Sequence, residues 1–98
     1  MNTIQIGEVT ISTDHYIGGK RVVSEKTFTD ISPIDQSVLG EISAGGPEEV
    51  DLAVQAARDA FPAWAALGPE GRGEFLDKLA EVIERRVPDL ALVETTDN

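Results

Sequence analysis

Hydrophobic and polar positions alternate over the first third of the chain, in short segments bounded by turn residues. The segments are HYIGGKRVV (15–23), KTFTDIS (26–32) and SVLGEIS (37–43). Their content of β-branched and aromatic residues predicts strands. Gly18-Gly19 predicts a tight hairpin turn, since both glycines can take positive φ, and Pro33 ends the second segment in a turn. Residues 14–46 are therefore predicted to form a β-hairpin and further short strands, after an N-terminal extension at 1–13.

The period changes from two to about 3.6 at Pro47, which predicts an amphipathic helix. Pro47 suits the first helical position, and the acidic residues that follow it suit the positive end of a helix dipole. The apolar face comprises Val50, Ala53, Val54, Ala57, Phe61 and Trp64. Pro62 is expected to kink or end this helix, because it lacks the N–H that would bond back to Arg58.

Two more helices are predicted beyond the first. The second begins near Pro69, carries Arg85 and Arg86 in its last turn, and has an apolar stripe of Phe75, Leu76, Leu79, Val82, Ile83 and Val87. Pro88 begins a third helix of about ten residues, a length that is marginal for an isolated helix. The predicted fold class is α+β, with short strands followed by a helical segment at 47–98.

Acidic residues outnumber basic ones by 18 to 8, which gives a net charge of −10 in 98 residues. Such a surface repels nucleic acids and anionic membranes, so neither is an expected partner. The chain has no cysteine, which excludes disulfides, thiolate metal sites and a cysteine nucleophile within it. No apolar run is long enough to span a membrane and no basic leader is present, so the expected location is the cytoplasm.

The residues alone define no catalytic and no cofactor-binding site. His15 is the only histidine and has no partner at metal-ligand spacing, so a surface or packing role is expected. Glu48 and Glu49 belong to a helix start. The pairs Gly18-Gly19 and Gly45-Gly46 extend to no phosphate-binding pattern.

The order of segments resembles the amino-terminal part of the aldehyde dehydrogenase superfamily over residues 14–98. The family patterns are Y-I-x-G-x-x-V, F-x-x-x-N-P, V-x-x-A-x-x-A-A-x-x-A-F-x-x-W, P-x-x-R-x-x-x-L and E-T-x-D-x-G-K. The matching residues are Tyr16, Ile17, Gly19, Val22, Phe28, Pro33, Val50, Ala53, Ala56, Ala57, Ala60, Phe61, Trp64, Pro69, Arg72, Leu76, Glu94, Thr95, Asp97 and Asn98. Three residues depart from it: Ser32 replaces the asparagine before the proline, and Gly71 and Gly73 flank Arg72. Within the superfamily, the chain most resembles the 2-hydroxymuconic and 5-carboxymethyl-2-hydroxymuconate semialdehyde dehydrogenases, enzymes of aromatic-compound degradation.

This resemblance implies that the chain is a fragment of a larger α/β, Rossmann-like enzyme. The family oxidises an aldehyde to a carboxylate with NAD or NADP, through a cysteine thiolate and a glutamate base that lie in other parts of the protein. The chain is therefore expected to be catalytically incompetent alone, with no cofactor of its own. Its expected partners are the remainder of the dehydrogenase chain, on whose nucleotide-binding domain residues 47–98 would pack, and further copies in a homo-oligomer.

The resemblance also implies one binding site. Many family members hold a monovalent cation through backbone carbonyls before the N-P turn and an aspartate in the E-T-x-D segment. The matching residues here are Asp30, Ile31 and Asp97, and oxygen ligands suit a hard cation.

Two alternatives to a dehydrogenase fragment stay open from the sequence. One is a stand-alone acidic binding module, such as a truncated paralogue that docks on a full-length subunit. The other is an unrelated structural domain. A compact fold with Trp64 buried would favour either alternative, whereas an exposed Trp64 would favour the fragment.

Overall fold

The computed structural model describes all 98 residues as three β-hairpins followed by three helices. The strands are β1 (Thr3–Ile6), β2 (Val9–Ser12), β3 (His15–Ile17), β4 (Lys20–Val22), β5 (Thr27–Ile31) and β6 (Val38–Ser43). The helices are α1 (Pro47–Ala66), α2 (Gly68–Arg85) and α3 (Val87–Asp97). This architecture confirms the α+β class, the strand segments and the three helices predicted from the sequence.

Each hairpin is a separate two-stranded antiparallel sheet. Gly18 and Gly19 form the predicted turn of the second hairpin, with φ of +61° and +78°. The first hairpin lies in the segment that the sequence analysis described only as an extension. Its turn is Gly7-Glu8, and Gly7 takes the positive φ of +59° that such a turn requires.

The first hairpin packs against the third through β1 and β6, whereas the second hairpin approaches α1 through β3. Ile4 of β1 lies over Gly40 of β6, so closely that a β-carbon on Gly40 would overlap the Ile4 side chain. The ladder of β5–β6 is interrupted by a bulge between Asp30 and Ile31. Ile6 is the only buried apolar side chain of the molecule, so this packing gives a very small core.

The three helices bury no residue at all. We expected Pro62 to kink or end α1, but the helix does not end there, since it continues to Ala66. Its end is made instead by Gly68, whose φ of +73° turns the chain into α2. Of the two outcomes expected at Pro62, a kink or an end, the end is wrong, and a glycine further on ends the helix.

The overall shape is extended, with dimensions of 47 × 34 × 20 Å and a radius of gyration of 16.4 Å. A compact domain of this length has a radius of gyration of about 13 Å. The accessible surface is 7536 Å², whereas a compact monomer of this mass exposes about 5,400 Å². The chain thus exposes about 2,000 Å² more than a self-contained domain would. None of its helices combines the length and the apolar composition that a bilayer crossing requires.

Candidate functional site

The carboxyl end of α3 returns to the end of β5 and brings Asp97 to Asp30. A hydrogen bond with the Asp97 carboxyl group raises the pKa of Asp30 above its ordinary value, and burial and the like charge of Asp97 act in the same direction. The structure therefore joins two of the residues that the family resemblance singled out, although they lie far apart in the sequence.

Ile31 completes the predicted set, and its position in the strand is irregular. The bulge between Asp30 and Ile31 interrupts the β5–β6 ladder at these two residues, and a bulge leaves part of the backbone without its regular ladder partners. The structure forms no cluster of three or more His, Cys, Asp or Glu side chains. The arrangement thus offers two carboxylates beside an irregular backbone, a set of oxygen donors that suits a hard cation.

Ser32 follows Ile31 directly in the chain, and the sequence analysis noted it only as a departure from the family pattern. Its hydroxyl donates a hydrogen bond to the Thr96 carbonyl oxygen at 3.1 Å. The contact joins the residue after Ile31 to the residue before Asp97. The only sequence signal for it was a serine where the family has asparagine before the proline.

The start of α1 holds the paired glutamates as predicted, in a structural role. The Gly46 N–H donates to Glu49 Oε2 at 2.9 Å and closes the first turn of the helix. This backbone hydrogen bond lowers the pKa of Glu49 below its ordinary value. His15 is half-buried beside Gly45, and its Nε2 atom has no hydrogen-bond partner. The imidazole ring packs beside Gly45, where a β-carbon would lie 3.4 Å from its Cε1 atom.

An apolar surface runs along the helices and is not covered by the rest of the chain. Phe61 is 66% exposed and Trp64 is 41% exposed on α1, and Leu76 is 60% exposed on α2. Both predicted helices therefore form, but their apolar faces are open to solvent. We call this surface the helical face; it comprises Phe61, Trp64, Phe75, Leu76, Leu79, Val82 and Ile83. The exposed Trp64 is the outcome expected of a dehydrogenase fragment.

An open groove separates the second hairpin from α1. Its volume is about 700 Å³, and small side chains line it. A β-carbon on Gly18 would lie 3.7 Å from the Ala56 β-carbon, which shows how closely the hairpin turn approaches the helix. The lining is mostly apolar and contains a single charged residue, Asp59. The groove carries no arrangement of polar groups that would act on a substrate.

Comparison with known proteins identifies the family of the chain. The model of the aldehyde dehydrogenase family matches residues 21–98. The chain therefore belongs to the aldehyde dehydrogenase family. No solved structure matches it.

Its relatives include semialdehyde dehydrogenases. The chain is 36% identical over 84 residues to the 5-carboxymethyl-2-hydroxymuconate semialdehyde dehydrogenase of Escherichia coli, covering 86% of this chain and 18% of that protein. It is 39% identical over 84 residues to the 2-aminomuconic semialdehyde dehydrogenase of Danio rerio, covering 86% and 17%. It is 43% identical over 79 residues to the mitochondrial aldehyde dehydrogenase of Equus caballus, covering 78% and 16%. The chain thus spans less than a fifth of the length of these relatives.

Proposed function

We propose that this chain is the amino-terminal part of an NAD(P)-dependent dehydrogenase that oxidises a semialdehyde to a carboxylate, and that its own role is to dock and position rather than to react. The names of its relatives in Escherichia coli and Danio rerio support a semialdehyde as the substrate class. The chain contains no cysteine. The thiolate that the family reaction uses would come from the remainder of the dehydrogenase, as would the site at which NAD(P) accepts hydride.

The uncovered helical face is the observation that carries this proposal. Three helices without one buried residue gain little stability from packing within the chain, since tertiary burial is the main source of helix stability in proteins. The excess exposed surface of about 2,000 Å² exceeds the roughly 800 Å² that one partner buries in a standard interface. This excess surface is as large as the area that obligate interfaces bury. The occupant that we propose is the remainder of the dehydrogenase.

The charge of the chain supports the same kind of partner. A net charge of −10 opposes association of two bare copies through the helices and favours a partner with a neutral or basic surface. We therefore propose homo-oligomers only for the assembled dehydrogenase. Nucleic acids and anionic membranes are disfavoured as partners by the same repulsion.

We also propose that Asp30, Ile31 and Asp97 hold a monovalent cation in the assembled protein. The raised pKa of Asp30 supports this assignment, because a cation between the two carboxylates would relieve the like-charge repulsion that contributes to it. Sodium NMR tests the site in the assembled protein: sodium resonances should broaden on addition of the chain bound to the remainder of a dehydrogenase, and Asp97→Asn in the chain should reduce the broadening. Equal broadening by both proteins would contradict the assignment.

The docking role is tested by complementation. The Escherichia coli relative, shortened by the segment that matches this chain, is purified with and without the 98-residue chain. We expect the two to co-elute and to form NAD(P)H in the presence of the semialdehyde, whereas neither is active alone. The variant Phe61→Asp, on the helical face, should abolish both results, and Gln5→Asp, an exposed position of β1, should abolish neither.

Two outcomes would decide against the proposal. If the chain neither co-elutes with the shortened relative nor restores its activity, the docking role fails. If it binds only the full-length relative, the chain is a separate module that docks on a complete subunit. The same Phe61→Asp and Gln5→Asp pair then identifies whether the helical face makes that contact.

A further inference from the structure

Ser32 is the least exposed residue of the chain, at 3%, although it is polar. Every polar group on it has a partner. Its hydroxyl donates to the Thr96 carbonyl oxygen at 3.1 Å and accepts from the Ile34 N–H at 3.3 Å. Its own N–H donates to the Ser37 carbonyl at 2.8 Å, and its carbonyl accepts from the Gln36 N–H at 2.9 Å. A buried hydroxyl so fully used is fixed in orientation.

The bond from Ser32 to Thr96 ties the strand region (residues 1–46) to the helices. Apart from the hydrogen bond between the Asp30 and Asp97 carboxyl groups, it is the one hydrogen bond between these two parts that joins residues more than four positions apart. A further close approach of α3 to the strands is apolar: a β-carbon on Gly7 would lie 3.0 Å from Leu92 Cδ2. An apolar contact of one side chain does not fix the rotation of a helix. The serine hydroxyl therefore supplies a directional constraint on the end of α3.

The bond lies next to Asp30 and Asp97, the two residues of the acidic pair. Thr96 precedes Asp97 directly, and Asp30 lies two residues before Ser32. The bond therefore holds the backbone next to both carboxylates.

We propose that Ser32 is a positioning residue that holds the last turn of α3 against the end of β5 and thereby sets the separation of the Asp30 and Asp97 carboxylates. The inference rests on the proposed function only where it assigns this pair to a cation. The role requires a hydroxyl that donates and accepts at once. Alanine supplies neither function, whereas threonine supplies both.

Amide hydrogen exchange of the 98-residue chain, followed by NMR, tests the role. We expect Ser32→Ala to lower the protection of the last-turn amides of α3, up to Asn98, by roughly five-fold, as loss of one net hydrogen bond of typical strength implies. The carboxyl carbon resonances of Asp30 and Asp97 should shift with it. Ser24→Ala is the matched control. Its hydroxyl is also buried, at 8% exposure, but donates only to Lys26 and Ala44 carbonyls within the strand region.

A second pair of variants isolates the hydroxyl if the alanine variant does not fold. Ser32→Thr and Ser32→Val differ in the hydroxyl at nearly equal volume. We expect the threonine variant to keep the protection of the α3 end and the resonances of the acidic pair, and the valine variant to lose both. Equal protection in the two variants, or equal losses in Ser32→Ala and Ser24→Ala, would overturn the positioning role.

The two proposals can fail separately. Hydrogen exchange and the carboxyl resonances decide whether Ser32 positions α3, and they need no cation. Sodium line broadening decides whether the pair binds a cation. If the positioning role holds and sodium is bound, Ser32→Val should also weaken the broadening, while Ser24→Ala should not.

Discussion

The indole ring of Trp64 on α1 and the phenyl ring of Phe75 on α2 lie 5.8 Å apart between centroids, at an interplanar angle of 51°. This tilted geometry is one that aromatic pairs favour. The Lys78 ammonium group lies 5.5 Å from the centroid of the Phe75 ring, and Arg72 Nη1 donates to the Ala65 carbonyl at 3.2 Å. The corner between α1 and α2 is thus held by partly exposed contacts rather than by a core.

The aromatic pair gives a fluorescence prediction, because Trp64 is the only tryptophan. Phe75→Ala should shift the emission of Trp64 to longer wavelength, since removal of the phenyl ring exposes the indole further. The loss should weaken the α1–α2 corner by about 1 kcal/mol. Phe28→Ala is the control, since Phe28 on β5 is exposed to the same extent, 52%, as Phe75. An emission spectrum that both variants leave unchanged would mean that the two rings do not meet in solution.

The unbroken course of α1 predicts a gain in stability from Pro62→Ala. Proline lacks the N–H that would bond to the Arg58 carbonyl, and alanine supplies it. The substitution should raise the helical circular dichroism and stabilise α1 by up to about 3 kcal/mol. Pro47→Ala is the matched control, and it should change stability by less than about 0.5 kcal/mol, because the first helical position needs no N–H donor. If both variants behave alike, α1 does not continue through Pro62.

Substitution of two glycines by alanine should change the stability of the chain in opposite directions. A β-carbon at Gly40 would overlap Ile4, so Gly40→Ala should separate β1 from β6 and destabilise the chain by about 1–3 kcal/mol. A β-carbon at Gly73 would meet no atom within 4 Å, so Gly73→Ala should stabilise α2 by about 1 kcal/mol. Urea unfolding followed by circular dichroism measures both changes. Equal midpoints for the two variants would contradict the packing of β1 on β6.

The hydrogen bonds of Asp14 lead us to expect that the first hairpin loses stability in acid. The Asn2 backbone N–H donates to its carboxylate at 3.0 Å and the Asn2 side-chain amide at 2.9 Å, and these bonds lower the pKa of Asp14. A lowered folded-state pKa adds stability that is complete above the unfolded pKa, about 3.9, and is lost as the pH falls through the folded value. The first hairpin should therefore loosen below about pH 4.

Amide exchange of residues 2–13 measured against pH checks this loss. Asp14→Asn should remove the dependence that Asp14 contributes. Asn2→Ala should remove only part of it, because the Asn2 backbone donor remains. The prediction fails if Asp14→Asn leaves the acid dependence of the first hairpin as it is in the unmodified chain.

Local rules predicted the elements whose residues carry their own turn chemistry. Gly18-Gly19 defined the second hairpin because only positive φ closes a two-residue turn of this kind. Pro47 and Pro88 marked the first turns of α1 and α3. The first hairpin was missed because Gly7-Glu8 is a weaker turn signal than a glycine pair, and its strands are only four residues long.

Periodicity predicted the helices but not what they contact. The stripe from Phe75 to Ile83 has the spacing of a buried face, yet it is exposed, because periodicity shows that a face is apolar and not which molecule covers it. Pro62 does not end α1, because the helix tolerates the missing hydrogen bond and ends where Gly68 takes positive φ. Tertiary context, rather than local propensity, decided both features.

The acidic pair was predictable only by resemblance to a family. Asp30 and Asp97 are distant in sequence, and no local rule brings a strand end to a helix end. The contact that holds them, between Ser32 and Thr96, depends on a serine that sequence patterns treat as a turn residue. Its burial and its partner are properties of the folded chain alone.

The span of that contact also orders the folding of the chain. The hairpins close over short loops and can form within about 1–10 μs each, whereas Ser32 and Thr96 are separated by 64 positions and must close a far longer loop at greater entropic cost. During synthesis the strands emerge before Thr96, so the three hairpins can close before α3 is complete. The end of α3 therefore docks after the hairpins have formed.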